Sequence, residues 1–82
     1  MGEVEIKIKE IIIETMDGTV PEDITEKTKL ITSGFLDSFG IISMLETLES
    51  TFDVVISLED VELSAFETIE SIAGMINAKK GQ

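Results

Sequence analysis

The chain has 82 residues, 17 Asp and Glu against 6 Lys and Arg for a formal net charge of −11, and no Cys, His, Tyr or Trp. That charge balance opposes binding to nucleic acid, and without thiolate or imidazole there is no disulfide framework and no usual ligand set for a catalytic metal. No apolar run reaches the roughly 18 residues of a membrane span and no cleavable signal is visible, so the expectation is a soluble cytoplasmic monomer. It forms one domain over residues 1–82 with its core at about 4–78, a size that buries roughly 60% of the surface its unfolded chain exposes.

Val4, Ile8, Ile11, Ile12 and Met16 recur at helical spacing, although Val4, Ile6 and Ile8 alternating with charges would equally suit a strand. Glu and Lys at the other positions and the length of the segment favour the helix. Asp17-Gly18 then stops it, because Gly readily takes a left-handed C-cap, and Pro21 resists continuation. Residues 17–37 read as a connection longer than most. Val20, Ile24, Leu30, Ile31, Phe35 and Leu36 are spaced through it as anchors, and Gly34 permits a tight turn at its end.

The second helix begins at Ser38. Asp37 is a good N-cap, and Ile41, Met44, Leu45, Leu48 and Phe52 form one apolar face. A helix start offers free backbone N–H groups and the positive end of the helix dipole, which suits a phosphate diester on the Ser38 hydroxyl. Catalysis by that serine would need a base, and His, the usual one, is missing.

After Phe52, the run Val54-Val55-Ile56 has no second strand to pair with and reads as a buried connector. Ser57-Leu58-Glu59-Asp60 has capping-box spacing and predicts a short turn of helix over residues 57–63. Thr68 is the candidate cap of a last helix running to about Ala78, with Ile69, Ile72, Ala73 and Ile76 inward and Lys79-Lys80-Gly81 closing it. The predicted architecture is all-α: a four-helix bundle with a short third helix and a long loop between helices 1 and 2.

With Asp37-Ser38 opening the second helix, Leu48-Glu49 and Phe52 closing it, Val54-Val55-Ile56 following, and Phe66-Glu67-Thr68-Ile69 leading into the last, the chain resembles the acyl carrier and peptidyl carrier protein family over roughly residues 4–78. The resemblance implies a covalent 4′-phosphopantetheine, derived from coenzyme A, on Ser38, with Asp37 as the adjacent motif residue. The arm's thiol would hold an acyl or aminoacyl group as a thioester. It also implies a non-catalytic protein served by a phosphopantetheinyl transferase, an acyl- or aminoacyl-loading ligase and downstream acyl-processing enzymes. Phe39, Gly40 and Ser43 depart from the fatty-acid carrier pattern and look more like stand-alone peptidyl or D-alanyl carriers.

Counting about 100° per residue from Ser38, residues Phe39, Ile42, Glu46, Glu49 and Asp53 lie on a stripe distinct from the deepest core face. Apolar groups flanked by carboxylates make a docking surface for partners. Two plainer readings stand beside it: Phe39 and Ile42 as core beneath the long loop, and the acids as a solvated face. A calcium sensor would need a twelve-residue ligand loop that is absent. The remaining alternative is a carrier-like acidic interaction domain that is never modified.

Overall fold

A computed structural model describes residues 2–16, 21, 23–57, 59 and 61–80; the expected cap at Asp17-Gly18, the Val20 anchor, Leu58 and Asp60 of the Ser57 box, and Gly81 lie outside them. Three α-helices, α1 (Glu3–Thr15), α2 (Ser38–Phe52) and α3 (Ile69–Lys80), are joined by irregular segments, with a 3-10 turn at Leu63–Phe66 before α3. No strand occurs among the described residues. Helix α1 packs against both α2 and α3, and the 3-10 turn packs on α3.

The helix-or-strand ambiguity at the start is settled by which isoleucines are inside. Ile8 is fully buried while Ile6 is 49% exposed, so the two do not share a face as they would in a strand. Glu3 and Glu5 sit in the first turn, where the helix dipole favours acids. The Glu5 carboxylate also accepts the Gly2 N–H at 3.1 Å.

The core is aliphatic. Ile8, Ile11 and Ile12 of α1 meet Ile41, Met44, Leu45 and Leu48 of α2 and Ile69, Ile72, Ala73 and Ile76 of α3, with Phe66 fully buried among them. Ile24, Leu30 and Leu36 of the long connection are buried in the same cluster, and Ile31 and Phe35 pack partly against it. The connection is also bonded to the 3-10 turn and α3. The Leu30 N–H donates to the Glu67 carbonyl oxygen at 2.6 Å, the Thr32 N–H donates to Glu67 Oε1 at 3.1 Å, and the Glu70 N–H donates to the Glu26 carbonyl oxygen at 3.0 Å.

Thr68 caps α3 as expected. Its hydroxyl accepts the Ser71 N–H at 3.0 Å while Ser71 Oγ accepts the Thr68 N–H at 3.2 Å, a reciprocal box with serine in place of glutamate. The short element before it differs from the expectation. The turn spans Leu63–Phe66 rather than residues 57–63, and it is 3-10 rather than α. Ser57 Oγ accepts from the Glu59 N–H, two residues on, as in a serine turn. The connector after α2 is also only partly buried: Ile56 is inside, whereas Val55 is 79% exposed.

Phe66 and Leu63 give the test of this packing. Phe66→Ala removes a fully buried ring and is expected to cost about 3–5 kcal/mol, whereas Leu63→Ala, at a 60% exposed position of the same turn, should stay within about 0.5 kcal/mol of wild type. Urea unfolding followed by circular dichroism reads both; equal losses would place the core elsewhere.

Candidate functional site

Ser38 is the first residue of α2 and is exposed. Asp37, extended at φ −105° and ψ −178°, caps the helix: the Gly40 N–H donates to Asp37 Oδ1 at 2.8 Å and the Ile41 N–H to the Asp37 carbonyl oxygen at 2.9 Å. A helix start leaves its first amides without intrahelical acceptors. With Gly40 satisfied by Asp37, the amides of Ser38 and Phe39 are the donors that remain at this end of α2.

Two glycines explain how the chain reaches this point. Gly34 has φ +83°, a left-handed conformation that L side chains rarely adopt, and its N–H closes a turn onto the Ile31 carbonyl at 3.0 Å. Gly40 is buried, and a Cβ there would stand 3.0 Å from Met16 Sδ, 3.3 Å from Asp37 Oδ1 and 3.4 Å from Leu36 Cδ2. The absence of a side chain lets the end of α1 and the end of the connection close onto the helix start that presents Ser38.

The stripe along α2 divides into different roles. Phe39 is 80% exposed and Ile42 47% exposed, so neither is core beneath the connection. Glu46 is exposed beside them. Asp53 is exposed too and takes the left-handed conformation, φ 54° and ψ 51°, as the C-cap of α2, a conformation Asp tolerates better than most residues. Glu49 is half-buried: its Oε2 accepts the Ile56 N–H at 3.0 Å and its carbonyl accepts the Val54 N–H at 3.2 Å. Its carboxylate thus fastens the connector after α2.

Sequence reasoning missed Glu67. The Thr32 hydrogen bond holds its carboxyl below the usual carboxylate range, against the opposing effect of desolvation and with help from Lys29 and from the backbone at Ile31. A depressed pKa means that the fastening is in place above the group's unfolded pKa and is lost as pH falls through the folded one. Its partner Thr32 lies 35 residues away in sequence, and no local pattern signals the pair.

A groove of about 370 Å³ lined by Glu3, Val4, Lys7, Thr51, Phe52 and Lys80 opens at the other end of α2, and Ser38 is not part of it. No group of three or more acidic, His or Cys side chains among the described residues is arranged to hold a metal ion. Nor is any helix among them long and apolar enough to cross a membrane.

Residues 7–76 match the family described as phosphopantetheine attachment site. The chain belongs to that family. It is 32% identical over 59 residues to the acyl carrier protein of Desulforapulum autotrophicum, covering 72% of this chain and 77% of that one. It is 30% identical over 69 residues to the D-alanyl carrier protein of Streptococcus pyogenes, covering 82% of this chain and 87% of that one. Its fold is similar to the solution NMR structure of a holo acyl carrier protein from Nitrosomonas europaea, with a TM-score of 0.83, 21% identity and full coverage of both chains.

As a member of this family, the chain takes 4′-phosphopantetheine as its prosthetic group. The helix start fits such a group: an exposed hydroxyl, two adjacent backbone N–H donors and the positive end of α2 suit a phosphodiester. The group supplies the thiol that this cysteine-free chain lacks.

Loss of the Asp37 cap is the direct test of this geometry. Asp37→Ala is expected to cost about 1 kcal/mol in urea unfolding, with Asp37→Asn largely preserving stability. Amide exchange should quicken at Gly40 in the Ala variant; unchanged exchange would show that the cap does not hold the first turn.

Proposed function

We propose that Ser38 is the residue to which 4′-phosphopantetheine is attached, and that the chain, itself without catalytic residues, presents acyl or aminoacyl groups held as thioesters on that arm. The observation that carries this reading is the exposed Ser38 hydroxyl on the first turn of an Asp37-capped helix, inside the stretch that matches the family. The partners are a phosphopantetheinyl transferase, an acyl- or aminoacyl-loading ligase and downstream acyl-processing enzymes. Similarity to a D-alanyl carrier over 82% of the chain supports a small aminoacyl cargo. We further place the protein in the cytoplasm as a monomer, with residues 1–82 as one carrier domain, and read the 3-10 turn as the short third member of a four-helix arrangement.

Phe39, Ile42 and Glu46, with Asp53 at the far end, form the partner surface in this proposal. Phe39 and Ile42 are exposed apolar groups without a role in the core, and the carboxylates beside them add long-range attraction for a basic partner. Glu49 lies on the same stripe but is tied to Ile56. The alternative, an acidic interaction domain that is never modified, shares this surface and differs only at Ser38.

Incubation with a broad-specificity phosphopantetheinyl transferase, coenzyme A and Mg²⁺ should add the mass of one phosphopantetheine group, and Ser38→Ala should abolish the gain. Intact-mass analysis decides between the readings: no gain in folded wild type with an active transferase supports the unmodified domain.

Phe39→Ala and Glu46→Lys should each slow modification several-fold at low salt without altering the circular dichroism spectrum. The Glu46 effect should shrink as salt is raised, because charges beyond a Debye length of about 8 Å are screened at physiological ionic strength. Wild-type rates in both variants would move the docking surface off this stripe.

A further inference from the structure

We infer that Glu67 is a positioning residue for the modification of Ser38, acting through its hydrogen bonds to the Leu30 and Thr32 amides of the connection; this rests on the reading of Ser38 as the attachment point. The connection between α1 and α2 delivers the serine, and near its end it folds back on itself: the Leu36 N–H donates to the Leu30 carbonyl oxygen at 3.0 Å, outside the inner turns from Ser33 to Lys29 and from Gly34 to Ile31. Leu36 is buried and directly precedes Asp37, the cap of the serine helix. The N–H of the same residue, Leu30, donates to the Glu67 carbonyl oxygen at 2.6 Å. Two residues on, the Thr32 N–H donates to Glu67 Oε1 at 3.1 Å.

A single residue before α3 thus holds two amides of a loop whose closure fixes the residue before the cap. The chain of contacts runs from Glu67 to Leu30, from Leu30 to Leu36, and along the backbone to Asp37 and Ser38. The anchoring side is itself rigid, since Glu67 follows the 3-10 turn and precedes the Thr68–Ser71 box. The backbone bond to Leu30 survives any substitution at this position. The side-chain bond to Thr32 does not, so changing residue 67 loosens the loop without dismantling the fold. A transferase must meet the serine hydroxyl in one orientation, and a loop that opens locally spends part of its time presenting it in others.

The test compares transferase kinetics and thermal midpoints of wild type, Glu67→Ala, Glu67→Gln and Ile76→Val, the last a core change toward the opposite end of α3. Rates are taken well below every midpoint, where circular dichroism shows all four folded. Wild type must first gain the arm in a Ser38-dependent manner; if it does not, the attachment reading itself fails. Given that gain, Glu67→Ala is expected to lower kcat/KM by about three- to tenfold, the effect of one hydrogen bond on a loop equilibrium. Amide exchange should rise at Thr32 and Leu36. Glu67→Gln keeps an amide oxygen as acceptor and should restore most of the rate, while Ile76→Val should lower the midpoint and leave kcat/KM unchanged. A wild-type rate in Glu67→Ala, or an equal loss of rate in Ile76→Val, would overturn the positioning role and leave Ser38 as the attachment point untouched.

Discussion

The isoleucine face of α1 is the surface on which the rest of the molecule is assembled. Ile8 and Ile12 are fully buried and Ile11 nearly so, and α1 is the helix that packs against both α2 and α3. Its far end carries Met16, whose sulfur lies where a Cβ on Gly40 would come within 3.0 Å. The placement of the serine helix is thus set partly by how closely α1 can approach it. Glycine inside a helix costs about 1 kcal/mol against alanine, a local loss that this close packing offsets.

The second constraint is electrostatic. A chain of net charge −11 with no basic residue between residues 30 and 78 repels itself and would repel an added phosphate. Attached at Ser38, as proposed, the phosphate would instead meet backbone N–H groups and the positive end of α2. The adjacent acid, Asp37, accepts from Gly40, and Glu49 further along α2 accepts from Ile56. The α2 start itself has no acid in its first turn. That local vacancy in an otherwise acidic molecule would let a phosphodiester on Ser38 sit beside the helix without a cation to neutralise it.

Periodicity made the helices legible. The inward residues of α2 and α3 could be read from the sequence because their spacing follows the helical repeat, and all except Phe52, which is partly buried, lie in the core. Asp37 and Thr68 were legible as caps because capping chemistry is local. What was not legible depends on pairs distant in sequence or on turn geometry. The bonds from Thr32 to Glu67 and from Glu70 to Glu26 cross between segments with no shared pattern. Glu49 looks like any exposed helix acid until the chain folds back and brings the Ile56 amide to it. Ser57 has the spacing of a cap, its hydroxyl accepts from the Glu59 amide, and the short turn forms later at Leu63.

Phe39 shows how the two faces of α2 separate stability from recognition. Its neighbours Gly40 and Ile41 are buried against the connection and the core, while its own ring is 80% exposed. An aromatic ring left in water gives up stabilisation of about 1.5–3 kcal/mol that burial would supply, so the fold gains little from having Phe at this position. Its ring is free to be covered by something else. Because it follows Ser38 directly in the first turn of the helix, a partner that covers the ring also comes close to the serine. On the proposed partner surface, binding through Phe39 would therefore be coupled to access at Ser38, whereas binding through Glu46, two turns along, would act through charge.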